Sequence, residues 1–441
     1  MTHDLEALRR ALDLTPPGPL HVVEGRVTSV LGLGVRAQIP GARVGAMGEV
    51  LRRDGAPVPV EIVGFDERGA TLLPLGDTVG VGPGDPVRMT GSVASIACGE
   101  GMLGRVLDGR GAPLDGRGPL AGETRARPLR AEAPEALRRQ RVREPMPTGV
   151  RVIDAMLTLA AGQRVGIFAG SGVGKSALLG QVLQGCAADV VVVALVGERG
   201  REVREFLDDV LDPAVAPRTV AVVATSDAPA LLRLRAAEAA TAIAEHFRDE
   251  GRAVLLLMDS ITRVARALRD VGLAAGEPPV RRALPPSVFA ALPRLLERAG
   301  PGERGAITAI YTVLVEGGDL DEPVADEVRA LLDGHLVLDR DLLARGRVPP
   351  VDVLASASRV MDAVTPASQR SAAARVRALL HALETRRELI ALGAYTRGSD
   401  ALTDEALSKR DALEAFLAQP RGERSSWAEA VAALEDLARP R

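Results

Sequence analysis

A chain of 441 residues has room for about three domains at roughly 150 residues each, and 46% hydrophobic with 26% charged residues excludes a disordered or fibrous class. A formal net charge of -3 gives no general attraction to nucleic acid, and 2% aromatic residues leave little from which to build stacking platforms for single strands, so no nucleic-acid partner is expected. Two cysteines, Cys98 and Cys186, form no C-x-x-C pair, and the five histidines are scattered, which argues against a disulfide framework or a metal centre held by protein ligands alone.

The N-terminus MTHDLEALRRALDL has no apolar core of signal-peptide length, and no run of about 18 apolar residues occurs, so a cytoplasmic protein without a spanning helix is expected. Leu5, Leu8 and Leu12 fall at helical spacing, and Pro16-Pro17-Gly18 ends the pattern, which predicts a helix within residues 1–20. Such a stripe either packs on its own domain or docks a partner helix.

Residues 21–93 read as short alternating runs, HVVEGRVTSV, GVRAQI, PVEIVGF and GATLLPL, broken by Gly, Pro and Asp at close intervals. That rhythm predicts a small β-barrel with an architectural role. A turn-dense connector, GRVLDGRGAPLDGRGPL, and an Arg- and Pro-rich passage open the next region, 94–365. From Val150 onward VGIF, VVVALVG, TVAVVAT, VLLLMD and AITAIYTVL alternate with helical stretches. Continuous apolar runs of this kind predict an α/β core with a mainly parallel sheet covered on both faces. Residues 366–441 read as helical.

The segment Gly162 to Leu183, GQRVGIFAGSGVGKSALLGQVL, has the order strand, glycine-rich turn, helix. Ala169, Gly170, Ser171, Gly172, Val173, Gly174, Lys175, Ser176 and Ala177 then form a phosphate-binding loop, in which bare backbone lets N–H groups face phosphate oxygens. Lys175 would reach the β- and γ-phosphates and the Ser176 hydroxyl would bind Mg²⁺. Ala169 stands where the pattern G-x-x-x-x-G-K-[ST] has its first glycine. Only two of the 55 basic residues are lysines, Lys175 and Lys409, so a lysine kept in the turn suits a point-charge role on phosphate.

Asp259 follows the buried run ending in Met258, where it either caps the next helix or positions the waters of Mg²⁺ as an outer-shell carboxylate. Glu198, in GERGREVRE after the preceding strand, is placed to act as base or water-orienting group. Glu202 shares its helical face and either reaches the metal through water or only pairs with neighbouring arginines, as Glu205 is expected to do.

GVRVIDAMLTLAAGQRVGIFAGSGVGKSALL, VALVGERGREVREF, LLLMDSITRVARALRD, PPSVFAALPRLLERAG, DGHLVLDR, DVLASASRVMDAV and ELIALGAYTRGSD resemble the flagellar and type III secretion export ATPases, relatives of the catalytic subunit of rotary ATP synthases. The resemblance runs from about Gly25 to Asp400. It implies a RecA-like P-loop core between an N-terminal β-barrel and a C-terminal helical domain. It also implies Mg²⁺-dependent hydrolysis of ATP that energises protein export by chaperone release and substrate unfolding. By the resemblance, Glu198 polarises the attacking water, Arg199 and Arg263 lie beside the γ-phosphate, and Arg359 is a finger inserted into the neighbouring subunit's site. The implied assembly is a homohexamer at the inner face of the cytoplasmic membrane. Its implied partners are a stator-like regulator at the N-terminus, a central stalk protein, the export gate and chaperone-substrate complexes, with peripheral membrane association.

Two positions depart from the family pattern. Val348 replaces the aromatic expected against adenine, and Ala283-Leu284 replaces the Gly-Tyr before Pro-Pro-Ser. Weak base selectivity follows from the first. Rival readings are a rotary ATP synthase subunit, disfavoured by Glu198 and Arg359 in one chain; an RNA-translocating terminator of the Rho type, disfavoured by a barrel with Phe65 as its single aromatic; and a catalytically weak ring scaffold, motivated by Val348.

Overall fold

A computed structural model describes residues 24–440, so the expected helix within residues 1–20 lies outside the described residues. The chain divides into two compact units, the first closing at Ala94 and taking in Ala274–Gly276, the second holding Ser95–Leu273 and everything from Glu277 onward.

The first unit is a closed barrel of six strands: β1 (Glu24–Leu31), β2 (Gly34–Gln38), β3 (Ala46–Val50), β4 (Val58–Asp66), β5 (Gly69–Pro74) and β6 (Pro86–Val93), in the order β1-β2-β5-β4-β3-β6. Neighbouring strands are antiparallel throughout, so every other residue faces inward. Val27, Val35, Ala37, Val50, Val60, Ile62, Leu72 and Val87 fill the interior at those alternate positions. Closure removes free strand edges, which is how so short a sheet stands alone.

The second unit holds a two-stranded sheet of β7 (Ser95–Cys98) and β9 (Arg125–Pro128) and a large sheet of β8 (Val106–Asp108), β10 (Arg164–Ala169), β11 (Val190–Val196), β12 (Thr219–Ala224), β13 (Ala253–Asp259), β15 (Ala306–Leu314), β16 (Gly334–Leu338) and β17 (Val351–Ser358), with the short β14 (Gly300–Pro301) paired to β15. The large sheet has the order β17-β16-β10-β15-β13-β11-β12-β8. All neighbours on that path are parallel except β16 and β17. Every residue of β11 and β12 is buried, which only helices on both faces permit. One cover is the helix Ala230–Asp249, whose alanine-rich middle lets it lie close to β11 and β13. The turn-dense connector conceals β8, a three-residue strand at the edge of the sheet, too short to show a periodicity.

The helices Ala367–Thr385, Arg387–Ala391, Ala401–Ser408, Arg410–Leu417 and Trp427–Ala438 follow, broken by the stretches 392–400 and 418–426. Ser426 caps the last helix, its hydroxyl accepting from the Glu429 amide while Glu429 reaches back to the Ser426 amide. Val376, Leu379, Ala406, Leu413 and Leu434 join the same hydrophobic core as Ile153 and Leu178. Lys409, one of the two lysines, is buried here, and its ammonium reaches Glu405 Oε1 at 3.0 Å and the Leu437 carbonyl at 2.9 Å. Both cysteines are free and buried, and among the described residues no helix is long and apolar enough to cross a membrane.

Candidate functional site

In β10 the phosphate-loop segment leaves the sheet at Ala169, flanked in register by Leu314 of β15 and Leu338 of β16. Ala169 is itself strand, fully buried, and so needs none of glycine's freedom; this accounts for the departure from the usual first residue. Gly172 and Gly174 do need it, with φ of 76° and 93°. Between them Val173 is buried in the core and anchors the loop. Arg340, which opens the helix Arg340–Ala344, donates to the Ser171 carbonyl at 3.0 Å. Gly174 precedes the helix Lys175–Gly185, with Ser176 exposed and Ala177 half-buried in its first turn.

Four charged side chains meet at the carboxyl ends of the parallel strands. The Lys175 ammonium lies 2.5 Å from Asp259 Oδ1 and 3.8 Å from Glu198 Oε1. Asp259 ends β13 and accepts on the same Oδ1 from the Thr312 hydroxyl at 2.6 Å. Glu198 follows β11 by two residues and is buried; its Oε2 is 3.0 Å from Arg263 Nη2. Arg263 also donates to the Gly197 carbonyl. Glu198 Oε1 has no hydrogen-bond partner although it is shut from solvent. Burial above all, then hydrogen bonding with Glu202 and repulsion from Asp259, pushes the Glu198 carboxyl up to about 8, against the pull of Lys175 and Arg263. Glu202 lies in the helix Gly200–Glu205 and accepts from the Arg199 amide at 3.5 Å, the geometry of a helix cap.

Two candidates stand apart from this cluster. The Arg199 side chain is 78% exposed and pairs at 3.6 Å with Glu202. Arg359 follows β17, is exposed, and its amide donates to the Asp333 carbonyl at 2.9 Å. Val348 is half-buried, its carbonyl accepting from the Gln419 amide at 2.6 Å, and two residues on Pro350 lies where a side chain at Gly174 would first meet it. Gln419 also binds the Gly149 carbonyl and the Arg151 amide, at 2.8 and 2.7 Å, stitching the C-terminal region to the start of the core. A cleft of about 790 Å³ among the C-terminal helices, walled by Leu380, Leu383, Ile390, Arg347 and Glu414, includes none of the phosphate-loop residues.

The chain also matches known proteins along most of its length. Residues 149–358 match the ATP synthase alpha/beta family, nucleotide-binding domain, and residues 365–436 match the T3SS EscN ATPase C-terminal domain. The chain is 48% identical over 404 residues to a type 3 secretion system ATPase of Xanthomonas euvesicatoria, covering 91% of each. It belongs to the family of type III secretion and flagellar export ATPases. A flagellum-specific ATP synthase of Bacillus subtilis is 47% identical over 417 residues, 94% of each chain. The assembled ATPase EscN of enteropathogenic E. coli is similar in structure, with a TM-score of 0.90 at 44% identity over 94% of this chain and 100% of that one. EscN in complex with its central stalk EscO gives a TM-score of 0.87 over the same shares. As a member of this family the chain is a P-loop ATPase.

Three residues that sequence reasoning left without a role have partners here: Thr312 and Arg340 at the site, and Gln419 between the C-terminal region and the start of the core. Thr312 left a faint signal, a hydroxyl inside the apolar run AITAIYTVL. Arg340 and Gln419 left none, because their partners are 169 and 270 residues away in the chain.

Proposed function

We propose that this chain is the Mg²⁺-dependent ATPase of a type III secretion or flagellar export apparatus, hydrolysing ATP to release chaperones and unfold export substrates. The observation that carries the reading is the convergence of Lys175, Glu198, Asp259 and Arg263 at the strand ends beside the phosphate loop. The donor set fits a magnesium nucleotide. No group of three or more His, Cys, Asp or Glu side chains among the described residues would hold a cation unaided, as expected where phosphate oxygens and water supply most of the ligands. Ser176 and Asp259 would hold the ion, with Glu202 reaching it through water, and the ion would neutralise charge on the β- and γ-phosphates.

Lys175 turns from Asp259 to the phosphates when nucleotide arrives, an exchange of one anionic partner for another. The loop amides after Ala169 cradle the phosphate chain. Glu198, buried and with one oxygen unpartnered, orients the attacking water and takes its proton, while Arg263 holds the carboxylate in place. Arg359 completes the neighbouring chain's site, which makes the working form a ring, in keeping with a homohexamer. Arg199, exposed here, would reach the γ-phosphate only after a rearrangement of the turn before the helix Gly200–Glu205. A stalk partner is supported by the likeness to EscN, which is solved with its stalk EscO. The stator-like regulator, the export gate, the chaperone-substrate complexes and a cytoplasmic place at the inner membrane face follow from the family.

Glu198→Gln tests the assignment directly. It should bind a fluorescent ATP analogue as the unsubstituted protein does and hydrolyse ATP at a rate lower by at least about a hundredfold. Wild-type turnover in this variant would sink the role given to Glu198.

A further inference from the structure

Strand β15 delivers one hydroxyl into the middle of the site. Thr312 is fully buried, lying beside Ile167 of β10 in register, and its neighbour Tyr311 pairs with Met258 of β13, the residue before Asp259. Valine would fill the same shape with the same liking for a strand and no polar group to satisfy. The hydroxyl is satisfied here by the site itself: Oγ1 lies 2.6 Å from Asp259 Oδ1 and 3.4 Å from the Met258 carbonyl oxygen. With a single proton to give, it donates to the nearer, charged oxygen.

Lys175 occupies the same Oδ1 at 2.5 Å, but the two partners of Asp259 are not equivalent. The ammonium rides on a long side chain at the start of a helix and is the cation that arriving phosphates require. Thr312 is fixed in a central strand with its χ1 restricted, and it cannot follow. Once Lys175 leaves, the hydroxyl is the contact that still sets the plane of the Asp259 carboxylate.

We propose that Thr312 is a positioning residue for the hydrolysis reaction. Its hydroxyl keeps the Asp259 carboxylate in one orientation as the resting pair with Lys175 gives way to the nucleotide-loaded site, so that the carboxylate is already aimed when magnesium nucleotide arrives. The inference rests on the reading of Asp259 as the carboxylate that faces the metal, and the experiment separates the two.

The full-length chain and its Thr312→Val, Thr312→Ser and Asp259→Asn variants are compared for ATP turnover and for binding of a fluorescent ATP analogue, with Mg²⁺ and with EDTA in its place; thermal unfolding checks that each is folded. Thr312→Val is expected to lower kcat and weaken the Mg²⁺-dependent affinity by roughly tenfold, the worth of a hydrogen bond to a charged group, while affinity in EDTA stays unchanged. Thr312→Ser restores both. Wild-type Mg²⁺-dependent binding and turnover in Thr312→Val, or a serine variant no better than the valine one, overturns the proposal. If Asp259→Asn leaves the Mg²⁺ dependence intact, the reading of Asp259 falls and this inference with it. If Asp259→Asn abolishes it and Thr312→Val does not, Thr312 alone is misassigned. Should Thr312→Val fail to fold, Thr312→Ala removes the hydroxyl without adding a methyl group, and wild-type Mg²⁺ dependence in that variant has the same force against the proposal.

Discussion

Arg359 and Lys175 of one chain stand at opposite ends of the same sheet. β10 carries the chain up to the phosphate loop, whereas β17 runs antiparallel to β16 and ends with Ser358 beside Gly334, level with the start of β10. Ser358 thus stands about four residues, or roughly 13 Å, before the end of β10 at Ala169. On the proposed reading of Arg359 as a finger, an arginine placed there serves the neighbouring chain's site and not its own. Chains carrying Glu198→Gln and chains carrying Arg359→Ala should each be inactive alone, yet regain activity when mixed. In a random ring about a quarter of the interfaces would pair an intact Glu198 with an intact Arg359 from the next chain. A mixture as inactive as its parents would rule out the finger in trans.

Val348 bears on the base of the nucleotide. It is half-buried, its carbonyl bonded to the Gln419 amide, and two residues on Pro350 lies near Gly174 of the phosphate loop. A valine there offers apolar area but no ring, so the preference for ATP over GTP should stay below about a hundredfold. Val348→Tyr should tighten ATP binding by roughly two- to tenfold, from stacking worth about 0.5–1.5 kcal/mol. Titration of both nucleotides into both proteins checks this.

Ala283 has φ of 64°, in the left-handed region that favours glycine. The side chain is strained there, and glycine relieves that strain while adding freedom to the unfolded chain. Ala283→Gly should therefore raise stability slightly, by up to about 1 kcal/mol, measured by denaturant unfolding; a loss of stability would contradict this.

Arg298 and Glu245 form a buried bidentate pair, Nε to Oε1 at 2.9 Å and Nη2 to Oε2 at 2.6 Å, and Arg298 also donates to the Leu129 carbonyl. Glu245→Ala leaves a buried guanidinium without its counter-charge and should cost about 3–5 kcal/mol. Replacing both residues with apolar ones of similar size should cost much less, which a double-mutant cycle on unfolding free energies would read out.

Asp154 sets a pH dependence. It is fully buried and accepts from the Thr148 amide and hydroxyl and from the Gly149 amide, at 2.8, 2.7 and 3.0 Å. Burial, outweighing those three donors, pushes its carboxyl up from 3.8 to about 6. The folded chain thus holds a proton that the unfolded chain has already lost between pH 4 and 6, so this contribution is complete below about pH 4 and fades as pH rises through about 6. Relative to Asp154→Asn, the protein should lose on the order of 3 kcal/mol of stability across that window. Equal pH slopes for the two proteins would show that Asp154 does not titrate there.

Much of this molecule is legible without its structure because the governing interactions are local. Alternating residues from Glu24 to Val93 can bury one face only by curling into a barrel, and the all-apolar runs of β11, β12, β13 and β15 demand cover on both faces. Glycines at 172 and 174, followed by Lys175, announce a phosphate loop because few other residues suit that backbone. What the linear pattern cannot carry is strand order and direction. Thr312 becomes Asp259's partner only because β15 lies between β10 and β13, and Arg359 follows Ser358 at the level where β10 starts only because β17 runs antiparallel to β16. Val348 meets Gln419 across a chain separation that no periodicity spans. Those pairings come from the packing of the whole core, where burying each face is weighed against every other, and they decide which of the residues announced by sequence share a site.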